Sequence, residues 1–213
     1  MKNIAIFASG SGTNAENIAR YFANSENVNV AVVLSNNRNV GVHGRVNKLG
    51  VPSFVFSREE FIAGVPILEK LAEYDVCLIV LAGFMNKISD VILQAFPGKI
   101  VNIHPALLPK YGGKGMYGMH VHEAVVKAGE RESGITIHYI NEHYDEGSII
   151  FQATCPVLPD DSPEEVAKKV HALETAEQKK TGILASVSLA QFILESGYGK
   201  PEAVGRSGGY RSS

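Results

Sequence analysis

The stretch Ile4-Ala5-Ile6-Phe7-Ala8-Ser9-Gly10-Ser11-Gly12-Thr13-Asn14 decides the fold of this chain. Five apolar residues end in a turn with two glycines, and residues 14–22 then have the apolar spacing of an amphipathic helix. A strand that runs through a glycine-rich turn into a helix is typical of the start of a doubly wound α/β domain. The stretch therefore predicts the first βα unit of such a domain.

The same alternation of strand and helix continues along the chain. The apolar pattern predicts further strands at 28–34, 53–56 and 76–81, and helices at 40–49, 58–72 and 90–95. Residues 76–81 are apolar without interruption, which indicates burial on both faces of a parallel sheet. We therefore predict an α/β fold with a doubly wound, mostly parallel, Rossmann-like sheet.

The second half of the chain departs from this regular pattern. A predicted strand at 99–103 leads into a loop at 107–119 that contains four glycines. Two strand-like segments, 134–140 and 148–154, predict an antiparallel hairpin, and a long helix begins near 161–165 and continues, with a possible break, to about Leu194. We predict one domain over residues 1–194 and a flexible, glycine- and serine-rich tail over 195–213.

The composition is that of an ordinary globular protein. The 213 residues are 45% hydrophobic and 20% charged, and the net charge of -2 gives no broad basic field for nucleic acid. The N-terminus shows no signal-peptide pattern and no apolar run approaches a membrane span. We expect small-molecule partners, no nucleic acid, no membrane and a cytoplasmic location, whereas the sequence leaves the oligomeric state open.

The glycine turn is a candidate phosphate site. Glycines allow a phosphate to approach the free N–H groups of a helix N-terminus, and Thr13 and Asn14 can add side-chain donors. A dinucleotide site would need an acidic residue after the second strand, where this chain has Ser35-Asn36-Asn37-Arg38. NAD is therefore disfavoured, although Arg38 leaves NADP open. The alternative is that the glycines only permit close packing.

A second candidate site begins with Asn102-Ile103-His104-Pro105. Side chains alternate along a strand, so Asn102 and His104 project the same way, and Asp145 precedes a turn later in the chain. An amide and an imidazole suit a carbonyl that becomes a tetrahedral oxyanion. A carboxylate from Asp145 would favour protonated His104, which predicts an acid near neutral pH. The alternative is that these residues only cap a strand and a turn.

Two other kinds of site find little support in the sequence. His120 and His122 are possible metal ligands, but no third ligand has suitable spacing and the segment reads as the start of a helix, so we predict no metal. The first turn does not contain Gly-x-Ser-x-Gly, which disfavours a serine hydrolase.

Several motifs in order make the chain resemble a known family. They are Ser9-Gly10-Ser11-Gly12-Thr13-Asn14, Ser35-Asn36-Asn37, Ala82-Gly83-Phe84-Met85, Asn102-Ile103-His104-Pro105-Ala106-Leu107-Leu108-Pro109 and Asp145-Glu146-Gly147. Over residues 1–194 the chain resembles the phosphoribosylglycinamide formyltransferases, folate-dependent enzymes of purine biosynthesis. The resemblance implies a Rossmann-like formyltransferase fold. It also implies that 10-formyltetrahydrofolate, as co-substrate and without a metal, donates its formyl group to the amine of glycinamide ribonucleotide.

The resemblance also implies three groups of site residues and two halves of the domain. The part up to about residue 100 would bind the phosphate, and the rest would hold the catalytic group and the folate. The implied catalytic residues are Asn102, His104 and Asp145. The implied ribonucleotide contacts are Gly12, Thr13, Asn14, His171, Ala172, Leu173 and Glu174. The implied folate contacts are Arg58, Met85, Asn86, Lys87, Ile88, Asn102, Asn141, Glu142, His143 and Tyr144.

Some features differ from the family pattern, and related reactions remain as alternatives. Ala106 replaces a serine found in many members, and the loop at 112–118 is longer than in the shorter members. Methionyl-tRNA formyltransferase would need a C-terminal RNA-binding domain, and formyltetrahydrofolate hydrolase an N-terminal regulatory domain, and we expect neither here. Functions of a different class are an NADP-dependent reductase or a nucleotide-binding module. Either would use the glycine turn but would give Asn102 and Asp145 no chemical role.

Overall fold

The computed structural model describes residues 1–143 and 145–181, with side chains described up to residue 175. Seven strands form one sheet in the order β3-β2-β1-β4-β5-β6-β7. They are β1 (Lys2–Phe7), β2 (Val28–Ser35), β3 (Ser53–Val55), β4 (Val76–Ala82), β5 (Ile100–His104), β6 (Glu132–Tyr139) and β7 (Ile149–Pro156). The first five strands are parallel to one another, whereas β6 pairs antiparallel with β5 and with β7. The predicted fold class is therefore confirmed.

Seven helices are described beside this sheet. They are α1 (Thr13–Phe22), α2 (Gly41–Asn47), α3 (Arg58–Ala63), α4 (Val65–Glu73), α5 (Asp90–Ala95), α6 (Met119–Lys127) and α7 (Pro163–Thr181). The part of the last predicted helix that extends to Leu194 and the predicted tail at 195–213 lie outside the described residues. No helix of the described part is long and apolar enough to cross a membrane.

The sheet is buried on both faces because successive residues of its central strands point to opposite sides. In β1, Ile4 and Ile6 belong to one apolar cluster, whereas Ala5 and Phe7 belong to another. A third cluster, which includes Val166 of α7, covers the antiparallel strands. The packing of these three clusters holds the strands in place, and the loops at the ends of the strands are positioned by them.

The helix predicted at 58–72 is in fact two helices. Gly64 has a φ of 76°, in the left-handed region, and it ends α3 and precedes α4. Pro66 lies in the first turn of α4, where its missing N–H costs no helical hydrogen bond. The apolar spacing continues across this break, so the pattern alone could not reveal it.

Gly64→Ala is expected to destabilise the protein by about 2–5 kcal/mol. The left-handed backbone costs a non-glycine residue about 1–2 kcal/mol, and overpacking costs about 1–3 kcal/mol. An added Cβ would lie 2.7 Å from Cβ of Val91. Gly50→Ala is the matched control, since Gly50 has a φ of 75° but open space around it. Urea unfolding would measure both changes, and equal losses of stability would mean that Val91 moves aside at no cost.

Candidate active site

A cleft of about 580 Å³ opens at the carboxyl ends of β1, β4 and β5. The chain order of the strands reverses between β1 and β4, and ligands of open α/β sheets bind in the crevice at such a point. Leu81, Phe84, Met85 and Ile88 supply apolar lining on one side. The volume and the mixed apolar and polar lining suit a small organic ligand.

His104 ends β5 and is almost completely buried. Its Nε2 lies 2.7 Å from the carbonyl oxygen of Tyr111. Because a carbonyl can only accept, Nε2 carries a hydrogen, and Nδ1 faces Oδ2 of Asp145 at 3.8 Å. Burial lowers the pKa of His104 by more than Asp145 raises it. The expectation of a protonated His104 near neutral pH is therefore wrong for the protein without substrate, and the ring is neutral.

Asp145 lies beside His104, although some forty residues separate them in sequence. Its φ of 55° places it in the left-handed region, which aspartate tolerates better than most residues. Its Oδ2 accepts a hydrogen bond of 2.9 Å from the N–H of Gly113. Burial alone would raise the pKa of Asp145, but contacts with His138, His104 and Gly113 together lower it. Asp145 is therefore a carboxylate at neutral pH.

Asn102 lies on β5 on the same side as His104, and both line the cleft. Its Nδ2 is 3.2 Å from Nε2 of His138, a fully buried histidine on β6. Sequence reasoning found no signal in His138. The proximity of His138 to Asn102 follows from the pairing of β5 with β6. The two residues are direct partners in the antiparallel register, and the side chains of such partners share a face of the sheet.

The glycine turn contains both a close contact and an open polar group. Gly12 has a φ of 78°, and an added Cβ would lie 2.5 Å from Cα of Val42 in α2. Close packing therefore requires glycine at position 12. The alternative interpretation of the glycine turn predicts such packing in place of a phosphate site. Asn14 lines the cleft, and its buried Oδ1 has no hydrogen-bond partner among the described residues. Gly12 and Thr13 lie at the start of α1 but do not line the cleft themselves.

The predicted ribonucleotide residues of α7 lie on two sides of that helix. His171 and Glu174 line the cleft, whereas Ala172 is exposed and Leu173 packs against the third apolar cluster. Glu174 is buried, and its Oε2 lies 3.1 Å from Nδ1 of His171, which raises the pKa of His171. Residues three apart share a helix face, so of the four predicted residues only His171 and Glu174 line the cleft.

Most of the predicted folate residues lie around the same cleft. The residues that line it are Met85, Asn86, Lys87, Ile88, Asn102, Asn141 and His143. Glu142 instead borders a neighbouring open depression, and Arg58 lies at the first position of α3 and does not line the cleft. Tyr144 lies outside the described residues.

The long glycine loop and the start of α6 form another wall of the cleft. Gly113, Lys114 and Tyr117 all line it. His120 is exposed beside Glu123, whereas His122 is buried, so these two histidines do not converge on one point. Within the described part of the chain no three histidine, cysteine, aspartate or glutamate side chains form a group that could hold a metal ion.

Comparisons with known proteins place the sequence in a family. The formyl transferase family profile matches residues 2–179. Phosphoribosylglycinamide formyltransferase of Haemophilus influenzae is 36% identical over 179 residues, which cover 82% of each chain. The chloroplastic phosphoribosylglycinamide formyltransferase of Arabidopsis thaliana is 39% identical over 79% of this chain, but over only 60% of the plant protein. The chain thus spans less than two thirds of the length of this plant relative.

Solved structures give the same result. The phosphoribosylglycinamide formyltransferase of Anaplasma phagocytophilum superimposes with a TM-score of 0.75 at 35% identity, over 81% of each chain. The enzyme of that name from Streptococcus pneumoniae superimposes with a TM-score of 0.72 at 36% identity, over 82% of this chain and 93% of that one. By its sequence and its fold, the chain belongs to the formyl transferase family.

Proposed function

We propose that this chain transfers the formyl group of 10-formyltetrahydrofolate to the amine of glycinamide ribonucleotide, giving formylglycinamide ribonucleotide and tetrahydrofolate. The observation that carries the proposal is that Asn102, His104 and Asp145 meet in the cleft that Asn14 also lines. An oxyanion donor, a base and a charged partner thus lie beside the N-terminus of a helix. Relatives over most of this chain are named for this reaction.

The cleft has a place for each part of the two substrates. The ribonucleotide phosphate would lie at the N-terminus of α1, where free N–H groups favour an anion and the amide of Asn14 is at hand. The buried carboxylate of Glu174 would accept hydrogen bonds from ribose hydroxyls. The apolar side formed by Phe84, Met85 and Ile88 would cover the ring of the folate.

The chemistry then needs one oxyanion donor and one path for a proton. As the amine attacks the formyl carbon, the carbonyl oxygen becomes negative and accepts a hydrogen bond from the amide of Asn102. Neutral His104 takes a proton from the attacking nitrogen and returns it to the departing folate nitrogen. Asp145 stabilises the imidazolium that exists between these two transfers.

The first experiment is absorbance-monitored deformylation of 10-formyltetrahydrofolate by the purified protein. Turnover that depends on glycinamide ribonucleotide is expected. Turnover without an acceptor would indicate a hydrolase, and turnover only with charged initiator tRNA would indicate a tRNA formyltransferase. Either result would contradict the proposal. The cytoplasmic location and the expectation of neither nucleic-acid nor membrane partners stay predictions of the sequence.

A thermal-shift measurement separates the proposal from a nucleotide-binding alternative. A ligand that binds only the native state raises its melting temperature. A folate analogue and the ribonucleotide should therefore each stabilise the protein, whereas NADP should not. Stabilisation by NADP alone would favour a reductase or a nucleotide-binding module.

Asn14→Ala is expected to raise the KM for the ribonucleotide about 10- to 100-fold, with little change in kcat. The loss of one hydrogen bond to a charged group corresponds to about 1.5–3 kcal/mol, and binding lost equally in ground and transition states appears in KM. Asn17→Ala, one turn further along α1, is the matched control. Steady-state kinetics at saturating folate would measure both variants. An unchanged KM in Asn14→Ala would remove the phosphate site from this helix terminus.

A further inference from the structure

One nitrogen of the buried His138 faces two groups with opposite requirements. Its Nε2 lies 3.2 Å from Nδ2 of Asn102, which can only donate a hydrogen bond. The same Nε2 lies 3.5 Å from Oδ1 of Asp145, which as a carboxylate can only accept. Since Nε2 cannot accept from one and donate to the other at once, it can form a hydrogen bond with only one of them.

The contact of the other ring nitrogen, Nδ1, determines whether Nε2 of a neutral ring donates or accepts. Nδ1 of His138 lies 2.9 Å from the carbonyl oxygen of Tyr139, so Nδ1 carries a hydrogen. A neutral imidazole has only one N–H, which leaves the lone pair on Nε2. Neutral His138 therefore accepts a hydrogen bond from the amide of Asn102.

We propose that His138, with its hydrogen on Nδ1 and a lone pair on Nε2, is a positioning residue that keeps the N–H side of the Asn102 amide directed at the oxyanion. An amide can rotate by half a turn and exchange its nitrogen for its oxygen. The lone pair on Nε2 prevents this rotation, because it would repel the amide oxygen. With the nitrogen of Asn102 bound to His138, the second N–H of the same group is available to the cleft. This role rests on the formyl-transfer function proposed above.

His138 is fully buried, so a purely structural role must be separated from a positioning role. Glutamine places a permanent acceptor close to the position of Nε2, whereas phenylalanine keeps a ring of similar shape without an acceptor. If His138 positions Asn102, His138→Phe should lower kcat about 100-fold, the effect of removing an oxyanion donor. The KM for each substrate should change less than about 3-fold, because binding does not need that donor. His138→Gln should stay within about 5-fold of wild-type kcat.

Nitrogen-15 NMR of the imidazole rings tests the same idea in the wild-type protein and does not depend on the folding of a variant. The signals of His138 are assigned by connecting its ring to the backbone of residue 138 in the same sample. Near neutral pH we expect Nδ1 to be protonated and Nε2 to be bare.

Two outcomes would overturn the inference. A proton on Nε2 in the resting protein would exclude the hydrogen bond from Asn102. Wild-type kcat in His138→Phe would show that the orientation of the amide does not depend on His138. Neither outcome would affect the proposed reaction, which depends on ribonucleotide-dependent turnover by the wild-type protein.

Discussion

Replacing His104 with alanine is expected to lower kcat about 10²–10⁴-fold, the usual contribution of a general acid–base group. Its neutral ring lies beside Asp145 at the end of β5 and lines the cleft, and alanine cannot carry a proton between the two nitrogens. Because burial lowers the pKa of His104, the neutral form persists at neutral pH in the wild type. Wild-type kcat/KM should therefore fall only as the pH drops through this lowered pKa, and the alanine variant should lose that dependence.

Binding of the ribonucleotide should be almost unchanged in His104→Ala, because the phosphate would lie at the start of α1. Steady-state kinetics and calorimetric titration with the ribonucleotide measure the two effects separately. His120→Ala is the matched control, since His120 is an exposed histidine that contacts Glu123. A kcat near that of the wild type in His104→Ala would remove His104 from the mechanism.

Asp145→Asn is expected to lower kcat about 100-fold, which corresponds to about 2.7 kcal/mol of transition-state stabilisation. The change keeps the size of the side chain, the acceptor for the N–H of Gly113 and a residue type that tolerates a φ of 55°. It removes the negative charge 3.8 Å from Nδ1 of His104. The pKa of His104 should then fall further, since burial is no longer opposed by Asp145, and the imidazolium formed during the reaction becomes less stable.

Asp75→Asn is the matched control for this change. Asp75 has a φ of 48° and is exposed in the turn before β4, so the same substitution meets a similar backbone away from the cleft. Kinetics with both substrates at saturation would compare the two variants. An equal, small change in kcat for both would mean that the charge of Asp145 does not take part in the reaction.

The sequence by itself determined the fold class and the local half of the site. Alternating strand and helix patterns and the glycine turn before α1 follow from neighbouring residues, because helix and strand periods are local properties. The shared orientation of Asn102 and His104 has the same origin, and the structure agrees that both line the cleft. The break at Gly64 was missed because the apolar spacing of the two short helices runs on across it.

Only the tertiary structure decided which groups meet and what charge they carry. The pairing of β5 with β6 places His138 against Asn102, and the turn before β7 brings Asp145 to His104. The rotation of α7 directs Glu174, but not Leu173, into the cleft. Burial, rather than the nearby carboxylate, determines that His104 is neutral. Long-range contacts and desolvation depend on everything packed around a group, and no pattern of neighbouring residues records them.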